Sequence, residues 1–173
     1  MLPKIEKILY TTTLSPKAAY VFSYAMIQAQ QFQASIYVLH VLEPLSSFAQ
    51  SVVEQYISKE KKEQIEKDNL EWLEDKLKKR IQVFCENETC NLNMQDPVAD
   101  ILIYQGKADE VIIEEAQKIE ADLIVMGAHT QTKFIPGYLG GTANKVINHS
   151  HIPVLCINTP KDFHNDLKTP VYH

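Results

Sequence analysis

Residues 122–127 read DLIVMG. An apolar run that does not alternate with polar residues, closed by a glycine, predicts a strand buried on both faces. Such strands belong to parallel sheets covered by helices on either side. Upstream, KADEVIIEEAQKIEA (107–121) places Val111, Ile112, Ala116 and Ile119 on one helical face. Before it, VADILIYQG (98–106) has the length and composition of a strand. Downstream, the spacing predicts a short helix over about 142–149, and IPVLCIN (152–158) predicts a last strand.

The first half repeats the alternation. IEKILYTT (5–12) predicts a buried strand. Ser15-Pro16 then offers an N-cap and a first-turn proline, and Ala18, Val21, Phe22, Ala25, Met26, Ala29 and Phe32 recur at helical spacing. SIYVLHVLEP predicts a strand over 35–42, stopped by Pro44. From about 50 to 85 a long amphipathic helix is expected, with Leu70, Leu73, Leu77, Ile81 and Phe84 on its apolar face. CENETCNLNMQD (85–96) is polar and loop-like, and the end of the chain, PKDFHNDLKTPVYH, lacks periodicity. The order βαβαβαβαβ with right-handed crossovers predicts one α/β domain: an open five-stranded parallel sheet with helices on both faces. Ligands of such sheets bind beyond the carboxyl ends of the strands.

Composition narrows the function. The 173 residues carry 45% hydrophobic and 23% charged residues and a net charge of −5, an ordinary globular balance. A general nucleic-acid surface is not expected, because phosphate-backbone affinity comes from Lys and Arg. The run Lys76, Lys78, Lys79, Arg80 is offset by Glu71, Glu74 and Asp75 and reads as a solvated helix face. No apolar run reaches the roughly 18 residues of a membrane span, and MLPKIEKILY has no signal-peptide core. Cys85, Cys90 and Cys156 are odd in number and without zinc spacing, so reduced thiols and a cytoplasmic location are expected.

Two stretches on the expected rim carry candidate chemistry. In MGAHTQTKFIPGYLGGTANKV (126–146), Gly127 follows the fourth strand, and Gly140, Gly141 and Thr142 open the next helix. Backbone donors and the helix dipole there suit an anion; a plain turn with Thr142 as N-cap is the other reading. In TTTLS (11–15), three hydroxyls suit a phosphate or a ribose, or simply β-propensity followed by a cap. No G-x-G-x-x-G or G-x-x-x-x-G-K-[ST] occurs, which argues against a dinucleotide fold or a P-loop NTPase. His40 reads as a core residue within strand 2, and His129 lies in the glycine loop. His149 and His151 lack a third metal ligand nearby. Asp109, Glu110, Glu114 and Glu115 suit a helix start. No catalytic triad or rim base stands out, so turnover is not expected beyond slow hydrolysis.

Taken together, KILYTTTLS, LHVLEP, ADLIVMGAH, the spaced Gly140 and IPVLCIN resemble the universal stress protein family over roughly residues 3–158. The resemblance implies the strand order 3-2-1-4-5 of the adenine nucleotide alpha hydrolase-like fold, with a domain over 1–159 and a tail over 160–173. It also implies a cytoplasmic homodimer built on the last strand, Pro153, Val154, Leu155, Cys156 and Ile157. The family's nucleotide-binding branch carries G-x2-G-x9-G-[ST]. Gly127 matches its first glycine, Thr130 stands at the second, Gly140 matches the third, and Gly141 takes the Ser/Thr position with Thr142 next. The family often has Pro-Thr-Asp after strand 1, where this chain has Thr11, Thr12 and Thr13, and Val41 matches the residue whose backbone meets adenine.

The implied ligand is ATP or AMP, with any magnesium carried on its phosphates. It would be held by Thr11, Thr12, Thr13, Val41, Met126, Gly127, His129, Thr130, Gly140, Gly141 and Thr142. The implied role is a nucleotide-binding regulator in stress response. The departures at Thr13, Thr130 and Gly141 also fit a relative that has lost the nucleotide and works as a dimeric interaction protein. A slow ATPase or a flavin-type redox protein fits less well.

Overall fold

The computed structural model describes residues 3–13, 15, 17–43, 71–80, 82–83, 96–128 and 139–160. Along the chain run β1 (Lys7–Thr11), α1 (Ala18–Phe32), β2 (Ser35–Leu42), a helical stretch α2 (71–80), β3 (Val98–Gln105), α3 (Ala108–Lys118), β4 (Leu123–Ala128), α4 (Gly141–His149) and β5 (Val154–Asn158). The strands form one five-stranded sheet in the order β3-β2-β1-β4-β5, with every pairing parallel. This is the fold class expected from the sequence, in the strand order that the family resemblance implies.

The strands look uniformly apolar because each supplies two cores. Ile8, Tyr10, Val38 and Val125 point to one face and pack with Val21, Phe22, Ala25 and Met26 of α1 and Leu77 of α2. Their neighbours Leu9, Leu39, Ile124 and Met126 point to the other face and meet Ile112 and Ala116 of α3 and Ala143 and Val146 of α4. Burying each such large side chain contributes about 1.5–3 kcal/mol. The period of two is present in the side-chain directions and hidden in the composition.

Two local expectations change. Ser15 does not cap α1: Lys17 holds the N-cap position without a side-chain cap bond, and Ser15 contributes its carbonyl to the Ala18 N–H at 2.9 Å. The turn therefore closes through main chain, and α1 begins two residues later than a Ser15-Pro16 start implies. The predicted strand over 5–12 is shorter at both ends, Lys7–Thr11. Of the expected long helix over 50–85, residues 71–80 and 82–83 are helical; the rest, including Leu70, Ile81 and Phe84, lies outside the described residues. The polar stretch before Asp96 and the tail beyond Pro160 lie outside them as well.

Candidate functional site

The carboxyl edge is set by register. Thr11 pairs with Leu39 of β2, and Tyr10 pairs with Val125 of β4. Carried two residues further, the same register puts Thr13 level with Val41 and Thr12 level with Gly127. The ends of β2, β1 and β4 therefore bring the threonines, Val41 and the first glycine of the motif onto one rim.

At its centre, Thr12 is 8% exposed and its main chain is held on both sides. Its N–H donates to the Leu39 carbonyl at 2.9 Å. Its carbonyl accepts from Nδ1 of the buried His40 at 2.8 Å, which fixes that imidazole with its proton on Nδ1. Thr13 is exposed, and its hydroxyl donates to the Ser15 hydroxyl at 3.2 Å. Below them the Tyr10 phenol donates to the Ala18 carbonyl at 2.7 Å, tying the start of α1 to the end of β1. Burial raises the Tyr10 pKa well above the usual phenol range, so the phenol stays protonated.

On the β2–β3 side, Val41 and Leu42 are half-buried and Glu43 is exposed. Gly106, directly after β3, donates its N–H to the Leu42 carbonyl at 3.0 Å and sits at φ +150°. A Cβ there would come within 2.7 Å of Val111 Cγ2. The glycine lets α3 leave β3 at once. The sequence places this glycine as the last residue of the predicted strand 98–106, whereas the strand ends at Gln105 and Gly106 belongs to the rim.

On the β4 side, Met126 is buried in the lower core, so it faces the rim with main chain only, while Gly127 is half-buried and pairs with Ile157. Gly140 is the N-cap of α4 at φ 97° and ψ 152°, a region that is essentially glycine's own. Among the described residues no side chain caps this helix start, and no acidic residue lies in its first turn. Asn144 N–H closes the first helical bond onto the Gly140 carbonyl at 3.0 Å, so the N–H groups of Gly141, Thr142 and Ala143 precede the intrahelical ladder. Thr142 is inside the helix and is not its N-cap. His129 and Thr130 lie outside the described residues.

The other candidates sit elsewhere. His149 Nδ1 lies 2.8 Å from the Lys145 carbonyl within its own helix. Three acidic residues of α3 are partnered: Asp109 with Lys145 at 3.3 Å, Glu110 with Lys107 at 2.8 Å, and the buried Glu115 with Lys118 at 3.1 Å. Among the described residues, no three His, Cys, Asp or Glu are grouped to hold a metal ion, and no helix is long and apolar enough to cross a membrane. Half-buried Val154, Leu155 and Cys156 and buried Ile157 form β5, which pairs with β4. Pro153 is exposed just before it. Burial raises the Cys156 thiol pKa.

Comparison with known proteins adds the family. The model of the universal stress protein family matches residues 4–158. The stress response protein NhaX of Bacillus subtilis is 39% identical over 66 residues, which are 38% of this chain and 40% of that protein, so the chain matches about two fifths of this relative's length. Among solved structures, the universal stress protein UspA from Lactobacillus plantarum superposes with a TM-score of 0.65 at 22% identity, covering 90% of this chain and 99% of that one. A universal stress protein solved in complex with cAMP superposes with a TM-score of 0.54 at 15% identity, covering 90% of this chain and 98% of the other. At these identities, the likeness to the solved structures establishes the fold.

Proposed function

The chain belongs to the universal stress protein family, and we propose that it binds an adenine nucleotide, ATP or AMP, at the carboxyl edge of its sheet. The observation that carries this reading is the start of α4. Gly140 holds a backbone conformation reserved for glycine, and the helix it opens has no acidic first turn and, among the described residues, no side-chain cap. Such an end presents N–H donors and a positive dipole to an anion. The amides of Gly141, Thr142 and Ala143 would take the phosphates. Gly127, level with Thr12, would allow close approach of the ribose, and Thr13 and Val41 would frame ribose and base. Met126 would contribute main chain, while His129 and Thr130 would complete the loop between Gly127 and Gly140. Magnesium would arrive on the phosphates, since no carboxylate cage is formed among the described residues.

The cAMP complex of a protein with this fold supports adenine nucleotides as the ligand class. The role follows as binding without fast turnover in a cytoplasmic stress regulator. Its homodimer would form along β5, whose half-buried apolar residues lie on the last strand of the sheet.

Calorimetric titration with ATP and Mg²⁺, after stripping copurified nucleotide, tests the reading. Saturable binding at about 1 μM, roughly −8 kcal/mol, is expected. Absence of both heat and thermal shift with ATP and AMP would overturn it. Sedimentation as a monomer at tens of micromolar would remove the dimer. A second reading has a specific basis: Thr13 stands where a carboxylate is usual, and Thr130 where a glycine is usual. It makes the protein a dimeric interaction module without nucleotide, and the same titration separates the two.

A further inference from the structure

The loop after β1 is anchored from an element that the rim residues do not include. Its first end is fixed by the sheet and by His40, through the Thr12 N–H and carbonyl. Its second end is fixed by Arg80 of α2, whose Nη2 donates to the Ser15 carbonyl at 3.0 Å across 65 residues of chain. That carbonyl already accepts from the Ala18 N–H at 2.9 Å, so the guanidinium completes a two-donor cap at the point where loop becomes helix. The Thr13 hydroxyl lies between the anchors, donating to the hydroxyl of the same Ser15. The guanidinium is also close enough to the buried Tyr10 phenol to oppose the rise in its pKa.

α2 is seated independently of this bond. Leu77, one turn before Arg80, is 2% exposed and packed among Ile8, Val38 and Phe22. A buried leucine thus fixes the helix, and a half-buried arginine extends from it to a main-chain oxygen. Hydrogen bonds from charged donors are stronger than neutral ones.

We infer that Arg80 is a positioning residue for the nucleotide site: it holds Ser15, and through the Ser15 hydroxyl Thr13, in place, acting through main chain without touching the ligand. The inference rests on the proposed nucleotide reading for its effect on affinity. The anchoring itself is measurable without any ligand. Because the bond goes to a carbonyl, the need is for a donor at that position, and charge is secondary. Arg80→Gln keeps a donor of intermediate reach, Arg80→Lys keeps a single charged donor, and Arg80→Ala removes it.

The experiment has two arms on the full chain. In the first, hydrogen exchange of the segment 12–18 is compared between wild type and the three variants without nucleotide. Faster exchange in Arg80→Ala, confined to that segment and partly reversed in Arg80→Lys or Arg80→Gln, is expected; exchange unchanged in every variant would overturn the inference. In the second, adenosine, AMP and ATP are titrated into each protein. Positioning predicts the same loss for all three ligands, about tenfold for Arg80→Ala. A loss that grows with the number of phosphates would assign Arg80 a direct phosphate contact and overturn the positioning role. Wild type that binds none of the three would overturn the nucleotide reading while the first arm still decides the anchor. Should Arg80→Ala fail to fold, the lysine and glutamine variants carry both arms.

Discussion

The two edges of the sheet use positive φ differently. At the amino edge, where helices return to strands, Gln33 after α1 and Glu120 after α3 both sit at φ 55°. At the carboxyl edge, where strands give way to helices, the positive-φ positions among the described residues are Gly106 at 150° and Gly140 at 97°. The amino-edge conformations are left-handed helical, which other residues reach at about 1–2 kcal/mol. Those at the carboxyl edge lie outside that region, where a Cβ is barely tolerated. Side-chain bonds to main chain occur at both edges, and the start of α4 stands apart from them. At the amino edge Asp122 Oδ2 accepts from the N–H groups of Glu6 and Lys7 at 2.8 and 2.9 Å, and Lys7 Nζ donates to the Ile119 carbonyl at 2.9 Å. At the carboxyl edge, α4 begins without a side-chain cap among the described residues. The amino edge is closed by its own side chains; at the carboxyl edge His40, Arg80 and Tyr10 hold the main chain after β1, and the start of α4 is the part left bare where the phosphates are proposed.

The harshest way to break the contrast is to put a side chain at the bare helix start. Gly140→Val must leave φ 97° or bear strain of about 1–3 kcal/mol. Either outcome redirects the amides of Gly141 and Thr142. Nucleotide affinity is expected to fall by roughly a hundredfold or more, the equivalent of two lost charged hydrogen bonds. The sheet should persist, since the cores on both faces lie below the loop. Calorimetry beside a thermal melt measures both, and unchanged affinity would remove the start of α4 from the site.

The complementary test acts on the closed edge. Asp122→Ala deletes the acceptor for two main-chain donors, and about 2 kcal/mol of stability should go with it. For a chain of this length that is a fall in Tm of roughly 4–8 °C. Nucleotide affinity should stay within about twofold, because Asp122 lies at the opposite ends of the strands. A binding loss comparable to that of Gly140→Val would mean that the edges are not separate.

The fold was legible in the sequence because helix and strand periods alternate cleanly and DLIVMG admits little but a central strand. Its two-sided burial was legible too; which residue faces which helix was not, since Leu9 and Tyr10 are both apolar and only the pleat sorts them. The candidate site was half legible. Gly127 and Gly140 stood out by spacing, and the level of Gly127 with Thr12 and of Val41 with Thr13 is what the sheet adds. His40 read correctly as buried, yet its bond to the Thr12 carbonyl spans 28 residues, and Arg80 reaches Ser15 across 65. A polar side chain that acts on distant main chain leaves no pattern in the sequence; Arg80 looked like part of a solvated charge run. The Ser15 cap failed for a related reason: a backbone bond to Ala18 took the place of the side-chain bond that the residue type suggests.

The smallest expected effect sharpens the contrast best, because it should move stability alone. α1 ends with Gln33 in the left-handed conformation, while the Ala34 N–H bonds back to the Ala29 carbonyl at 2.9 Å. α3 repeats the device with Glu120, and the Ala121 N–H reaches the Ala116 carbonyl at 2.8 Å. Glycine is the usual residue at such helix ends. Gln33→Gly removes the Cβ strain of about 1–2 kcal/mol but frees the unfolded chain by about 0.5–1 kcal/mol. The balance is a gain of about 0.5 kcal/mol, a rise in Tm of roughly 1–2 °C. Glu120→Gly should gain slightly less, because it also gives up an exposed ion pair with Lys7 at 3.6 Å, a contact worth little in water. Neither change should alter nucleotide affinity. A drop in Tm in both variants would show that the left-handed residues carry no strain worth removing, and the division between the edges would then rest on the glycines of the carboxyl edge alone.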